Sequence, residues 1–180
     1  MPESEKFDYL PQLIKRTRLA HIKAEKRLLA LDSLAKHATV YYACWTAVLT
    51  LATLYFDCDW LPYISASSAV VVALFTVYAS CQNYGVRAER MKASCIALQD
   101  LWLEFDAAGI SEDQRGSFAD SASKRYVAIL RQTENHSSQD DLASNSDTDK
   151  MIACIKWAIL RTVIYLVPFI VVGTLILTEP

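Results

Sequence analysis

Two stretches without a charged side chain, residues 38–56 and 60–86, are separated only by Asp57, Cys58 and Asp59. The hydrocarbon core of a bilayer, about 30 Å thick, is spanned by roughly 20 helical residues. Each stretch is therefore long enough to cross, and the three residues between them leave room only for a tight reversal. A third apolar run occupies residues 162–178. The pattern predicts an all-α membrane protein, in which a transmembrane helical hairpin is continuous with long cytoplasmic helices and a third transmembrane helix lies at the C-terminus. On this reading the chain divides into an N-terminal cytoplasmic helix (1–37), the hairpin (38–86), a cytoplasmic helical region with a polar linker (87–149) and the terminal span (150–180).

Hydrophobic residues make up 53% of the 180, yet much of that content sits in the three runs and is not spread at core-like spacing, so the water-facing remainder is small. The charged stretch 3–36 precedes the first run, and nothing before it resembles the short apolar core and cleavage site of a signal peptide. A net charge of −2 lacks the concentrated cationic face of a nucleic-acid binder, so no direct nucleic-acid binding is expected. Cys44, Cys58, Cys81, Cys95 and Cys154 form no CxxC pair, which argues against a zinc site. They read as small buried apolar residues, with Cys58, in the turn, the one placed for an intermolecular disulfide.

Orientation follows from the flanking charge, because Lys and Arg stay on the cytoplasmic side. Lys15, Arg16, Arg18, Lys23, Lys26, Arg27 and Lys36 lead into the first run, Arg87, Arg90 and Lys92 follow the second, and Lys150, Lys156 and Arg161 precede the third. The hairpin turn carries only Asp57 and Asp59. All flanks agree on one multi-pass topology, with a cytoplasmic N-terminus and a C-terminus on the far side. Aromatic belts fit the same scheme, with Tyr41, Tyr42, Trp45, Tyr84 and Trp157 inside and Tyr55, Trp60 and Tyr63 outside. In the third run Arg161 can snorkel and Pro168 can kink the helix; the other reading of this run is a membrane-surface or packed helix.

Residues 10–36 contain no Gly, have Pro11 only at the start, and are rich in Leu, Ala, Lys and Arg, which predicts one long helix running into the first span. After the hairpin, Ala88, Met91, Cys95, Leu98, Trp102 and Phe105 recur at steps of three and four, a seam of coiled-coil type. Ile14, Ile22, Leu28 and Leu29 offer it a partner surface. Ala107-Ala108-Gly109 ends this helix, and Ser111-Glu112-Asp113-Gln114 reads as a capping box opening a helix to about Gln132, with Phe118, Ser121, Tyr126, Ile129 and Leu130 on its apolar side. Residues 133–149 are polar and read as a linker.

Glu134-Asn135-His136, with Asp140 and Asp141, is the one place where a histidine meets several carboxylates. No nucleophile motif, Gly-rich phosphate loop or metal spacing accompanies it, so neither enzyme activity nor a cofactor is expected, and these side chains read as helix caps or interhelical hydrogen-bond partners. His21 and His37 read as surface or interfacial residues. Thr46, Thr50 and Thr53, with Thr39 before them, place hydroxyls along one side of the first span; Ser65, Ser68 and Thr76, with Ser80 and Asn83, tend the same way on the second. Two readings stay open: a weakly polar wall facing water in an oligomeric pore, or helix packing through hydroxyls and the small-residue patterns Ala43/Ala47 and Ser65/Ala69/Ala73. Both hairpin spans lack the charges that mark transporters and proton relays.

A basic helix with Arg16, Ala24, Arg27 and Leu28, a hairpin entered by Tyr41 and Tyr42, an exit bearing Tyr84, Arg87, Ala88 and Met91, then Tyr126-Val127-Ala128-Ile129-Leu130 and Glu134-Asn135-His136 with Asp140, occur in that order. Over most of residues 10–141 this resembles the SLATT family of bacterial two-span effector domains, marking Arg87, Tyr126, Glu134, Asn135, His136 and Asp140 as family-motif positions. The resemblance implies a membrane effector of prokaryotic antiviral defence, a homo-oligomer in membrane lipid acting in abortive infection by pore formation or membrane disruption. It also implies a signalling, nucleotide-sensing or reverse-transcriptase partner encoded nearby. The third run is a departure from the minimal two-span pattern.

Overall fold

The computed structural model describes residues 3–107, 111–133 and 147–178. All regular structure among them is helical: α1 (Glu3–Ala52), α2 (Leu61–Gln82), α3 (Tyr84–Ala107), α4 (Glu112–Arg131) and α5 (Asp147–Thr178). The chain divides into two units, one from Met1–Ala30 and Tyr84–Asn145, the other from Leu31–Asn83 and Ser146–Pro180.

The first unit packs the N-terminal part of α1 against α3 and α4. Leu10 and Ile14 of α1 meet Leu98 and Leu101 of α3 and Ala122 and Tyr126 of α4, flanked by Leu13, Trp102, Phe105, Phe118, Ile129 and Leu130. A second cluster joins Ala24 and Leu28 to Ala88 and Met91, with Tyr84 against it. Full burial of a side chain such as Ile14 or Leu98 contributes about 1.5–3 kcal/mol, so these positions anchor the unit. Phe105 lies 5.5 Å from Phe7 and 4.9 Å from Phe118 between ring centroids, and Arg125 of α4 makes a two-pronged ion pair with Glu104 of α3, at 2.5 and 2.9 Å. That hydrogen bond holds the Arg125 guanidinium above its ordinary pKa.

The seam has the expected period but a shifted phase. Ser94 and Leu101 are buried where Cys95 and Trp102 were expected, and those two are only half-buried. On α1, Thr17 and His21 occupy inward positions, while Leu29 is 47% exposed and Ile22 half-buried. An apolar count passes over core sites filled by polar residues, and here three of them fix the helix rotation. On α4, Ala119 and Ala122 are buried and Ser121 is exposed, contrary to expectation. Ser111 takes the N-cap position in extended backbone, but no side-chain cap bond forms; the Gln114 amide donates instead to the Ser111 main-chain carbonyl at 2.9 Å. Pro11 lies inside α1, which begins upstream of the expected start.

The second unit contains the C-terminal part of α1, all of α2 and α5. The turn between α1 and α2 is longer than three residues. α1 ends at Ala52, after which the bonds tighten: the Leu54 amide donates to the Leu51 carbonyl at 3.0 Å and that of Tyr55 to Ala52 at 3.1 Å. The Thr53 hydroxyl takes the Thr50 carbonyl at 2.7 Å, and Thr53, Tyr55 and Phe56 are weak helix formers. Pro62 sits in the first turn of α2, where its missing amide costs nothing. α2 ends at Asn83, left-handed at φ 48° and ψ 38°, a conformation Asn tolerates better than most residues; the helix thus breaks where continuity with the exit helix was expected.

Among the described residues two stretches are long and apolar enough to cross a membrane, within Leu61–Phe105 and Cys154–Thr174, with mean hydropathy 1.8 and 1.9 and 6% of each window buried. The first apolar run, helical over residues 38–52, is not among them. α5 continues without interruption through Pro168. None of the five cysteines is buried or disulfide-bonded; Cys44, Cys81 and Cys154 are exposed, so the expectation of buried thiols fails. Ala43, Ala47, Ala69 and Ala73 are exposed as well, leaving only Ser65 of the small-residue patterns in a packed position.

Candidate functional site

Every hydroxyl singled out in the two helices of the hairpin is satisfied. Thr46 bonds the Tyr42 carbonyl at 2.8 Å, Thr50 that of Thr46 at 2.9 Å, Ser68 that of Ser65 at 2.9 Å and Thr76 that of Val72 at 2.8 Å. Each is a side chain folded back on its own helix. Thr50 and buried Ser65 also share a 2.7 Å bond that clasps α1 to α2. The structure therefore separates the set: Thr50 and Ser65 pack the hairpin, while Thr46, Thr53, Ser68 and Thr76 lie half-buried beside them.

An apolar cavity of about 510 Å³ opens among the helices of this unit, lined by Tyr42, Trp45 and Leu49 of α1, Ser68 and Phe75 of α2 and Pro168 of α5, among others. The Tyr42 hydroxyl donates to the Ile164 carbonyl at 2.6 Å and that of Tyr41 to the Tyr165 carbonyl at 3.0 Å. Trp45 packs on Phe169 at 5.1 Å and Tyr41 edge-on to Tyr165 at 4.9 Å. Tyr41, Tyr42 and Trp45, read from the sequence as belt residues, dock α1 on α5, and half-buried Tyr84 packs against the second cluster of the first unit. Arg161 stands 6.0 Å from the Trp157 ring.

In the first unit the polar core is built from pairs. Thr17 bonds the Leu13 carbonyl at 3.0 Å and the Tyr126 hydroxyl at 2.8 Å; His21 Nδ1 meets the Ser94 hydroxyl at 2.9 Å. His21, 1% exposed, is thus a core residue and not a surface one. His37 is exposed and its Nδ1 lies 2.7 Å from the Ser33 carbonyl. Of the motif positions, Tyr126 is buried by α1 and Arg87 is half-buried in the first turn of α3; Glu134, Asn135, His136, Asp140 and Asp141 lie outside the described residues. Among the described residues no group of three or more His, Cys, Asp or Glu side chains is placed to hold a metal.

Among the described residues, an all-helical fold with two stretches of bilayer-spanning length and a helical unit with polar contacts in its core defines a candidate helical membrane protein. The chain belongs to the SMODS and SLOG-associating 2TM effector domain family 5, SLATT_5, whose model matches residues 3–179. No curated protein and no solved structure matches it. The resemblance read from the motif order holds at the level of the family, and no catalytic family is evident. The match also corrects one point: α5 lies inside the family domain, so the terminal run is not an addition to it.

Proposed function

We propose that this protein is a membrane effector of a prokaryotic conflict system, held in the inner membrane as an oligomer and made leaky when a partner signals. The family assignment supports association with SMODS- or SLOG-type signalling genes. The observation that carries the membrane reading is the exposed apolar surface of α2 and α5, including Val70, Leu74, Val77, Phe169 and Ile170, on stretches of bilayer-spanning length. In the proposed topology the first unit is cytoplasmic, the α1–α2 turn faces outward, and α5 crosses to leave the C-terminus outside.

Hydroxyls bonded to their own helix support permeation. Such a side chain gives its one proton to a helix carbonyl, leaving no orphaned donor in an apolar setting, and still offers its lone pairs to water when a passage opens. Thr46, Thr53, Ser68 and Thr76 would line that passage, with Thr50 and Ser65 at its packed edge, and the small number of charges gives poor ion discrimination. Trp102 and residues 126–135 would transmit the trigger.

Dye release from vesicles holding the purified chain, with its authentic trigger added, tests this: triggered leakage is expected, and an oligomer that stays tight refutes permeation. Replacing Thr46, Ser68 and Thr76 together by Val should then cut leakage while assembly persists. The other reading is a non-conducting adaptor that recruits a partner enzyme through its cytoplasmic helices, favoured by the clasped Thr50–Ser65 pair; it predicts that the triple replacement leaves function intact.

A further inference from the structure

Pro168 has no amide hydrogen, so the carbonyl four residues earlier, that of Ile164, loses its helical donor. In an apolar setting an unpaired carbonyl is costly, and α5 carries Pro168 buried in the unit. The Tyr42 hydroxyl donates to that same carbonyl at 2.6 Å, while Tyr41 donates to the next one, of Tyr165, at 3.0 Å. Trp45, one turn further along α1, packs on Phe169, the residue after the proline.

We infer that Tyr41, Tyr42 and Pro168 form a latch: the proline frees the Ile164 carbonyl on α5, the Tyr42 phenol takes it and the Tyr41 phenol bonds the next carbonyl, holding α5 in register beside the apolar cavity. The neighbouring Thr39 and Thr46 hydroxyls are spent on their own helix. The Ile164 carbonyl lacks its helical donor because residue 168 is proline, which favours this register over its neighbours. α5 is then a releasable wall of the cavity and not a passive anchor. That release is the opening step rests on the permeation reading; the latch itself does not.

The test is a double-mutant cycle on the full chain in detergent micelles, with the native cysteines replaced and spin labels at the exposed positions 48 on α1 and 170 on α5. The wild-type chain should give one short distance. Tyr42→Phe should raise the population of a longer distance roughly fivefold, and Tyr41→Phe with Tyr42→Phe more than about tenfold, as expected for bonds of this kind. Pro168→Ala returns an amide donor to Ile164, so adding Tyr42→Phe to it should produce much less than the separate effect. Distances unmoved by every replacement, or effects that simply multiply, overturn the latch. Coupled shifts in micelles with vesicles that stay tight to dye leave the latch standing and remove its role in opening.

Discussion

Single residues decide the first unit through polar contacts placed where an apolar residue would be anticipated. Thr17 keeps its bond to the Leu13 carbonyl when Tyr126 is replaced by Phe, so that change removes one buried hydrogen bond without stranding a partner. Its expected cost is about 1 kcal/mol. Ile14→Ala, at a fully buried site between α3 and α4, is expected to cost about 2–5 kcal/mol by opening a cavity. Chemical unfolding in detergent, followed by helical circular dichroism, should rank the two in that order; a Tyr126→Phe loss as large as that of Ile14→Ala would mean that the hydroxyl pair organises more than itself.

At the scale of elements, Asn83 is the point where α2 ends. Its φ of 48° suits Gly and burdens side chains branched at Cβ. Asn83→Gly should leave thermal stability within a few tenths of a kcal/mol, whereas Asn83→Val should cost about 1–3 kcal/mol and lower the melting temperature. The break was not legible in the sequence, because an Asn within an uncharged run has no signature that distinguishes a left-handed cap from a helical position. Helix content, the seam period and the family motif order were legible, since apolar repeats and long Gly-free segments follow directly from helical geometry. The phase of the seam was not: Thr17, His21 and Ser94 enter the core through mutual bonds that only the neighbouring helix reveals. The docking of Tyr41 and Tyr42 was hidden for the same reason, and Pro168 by itself suggested only a kink.

For the whole molecule, the unequal lengths of the apolar helices matter most. Residues 38–52 rise about 22 Å at 1.5 Å per residue, against a hydrocarbon layer of about 30 Å, while α2 has 22 residues and the apolar stretch of α5 has 21. A helix that falls short must draw the lipid surfaces together or sink polar ends into the layer, each at a modest cost per ångström. If the proposed topology holds, this protein carries a local hydrophobic mismatch, and acyl-chain length becomes a control on its activity. Triggered dye release should be faster in vesicles of 14-carbon monounsaturated lipid than in 20-carbon ones; equal rates would show that the short helix does not bear on the bilayer. A bacterium that adjusts the chain length of its lipids would then also be adjusting how readily this effector acts.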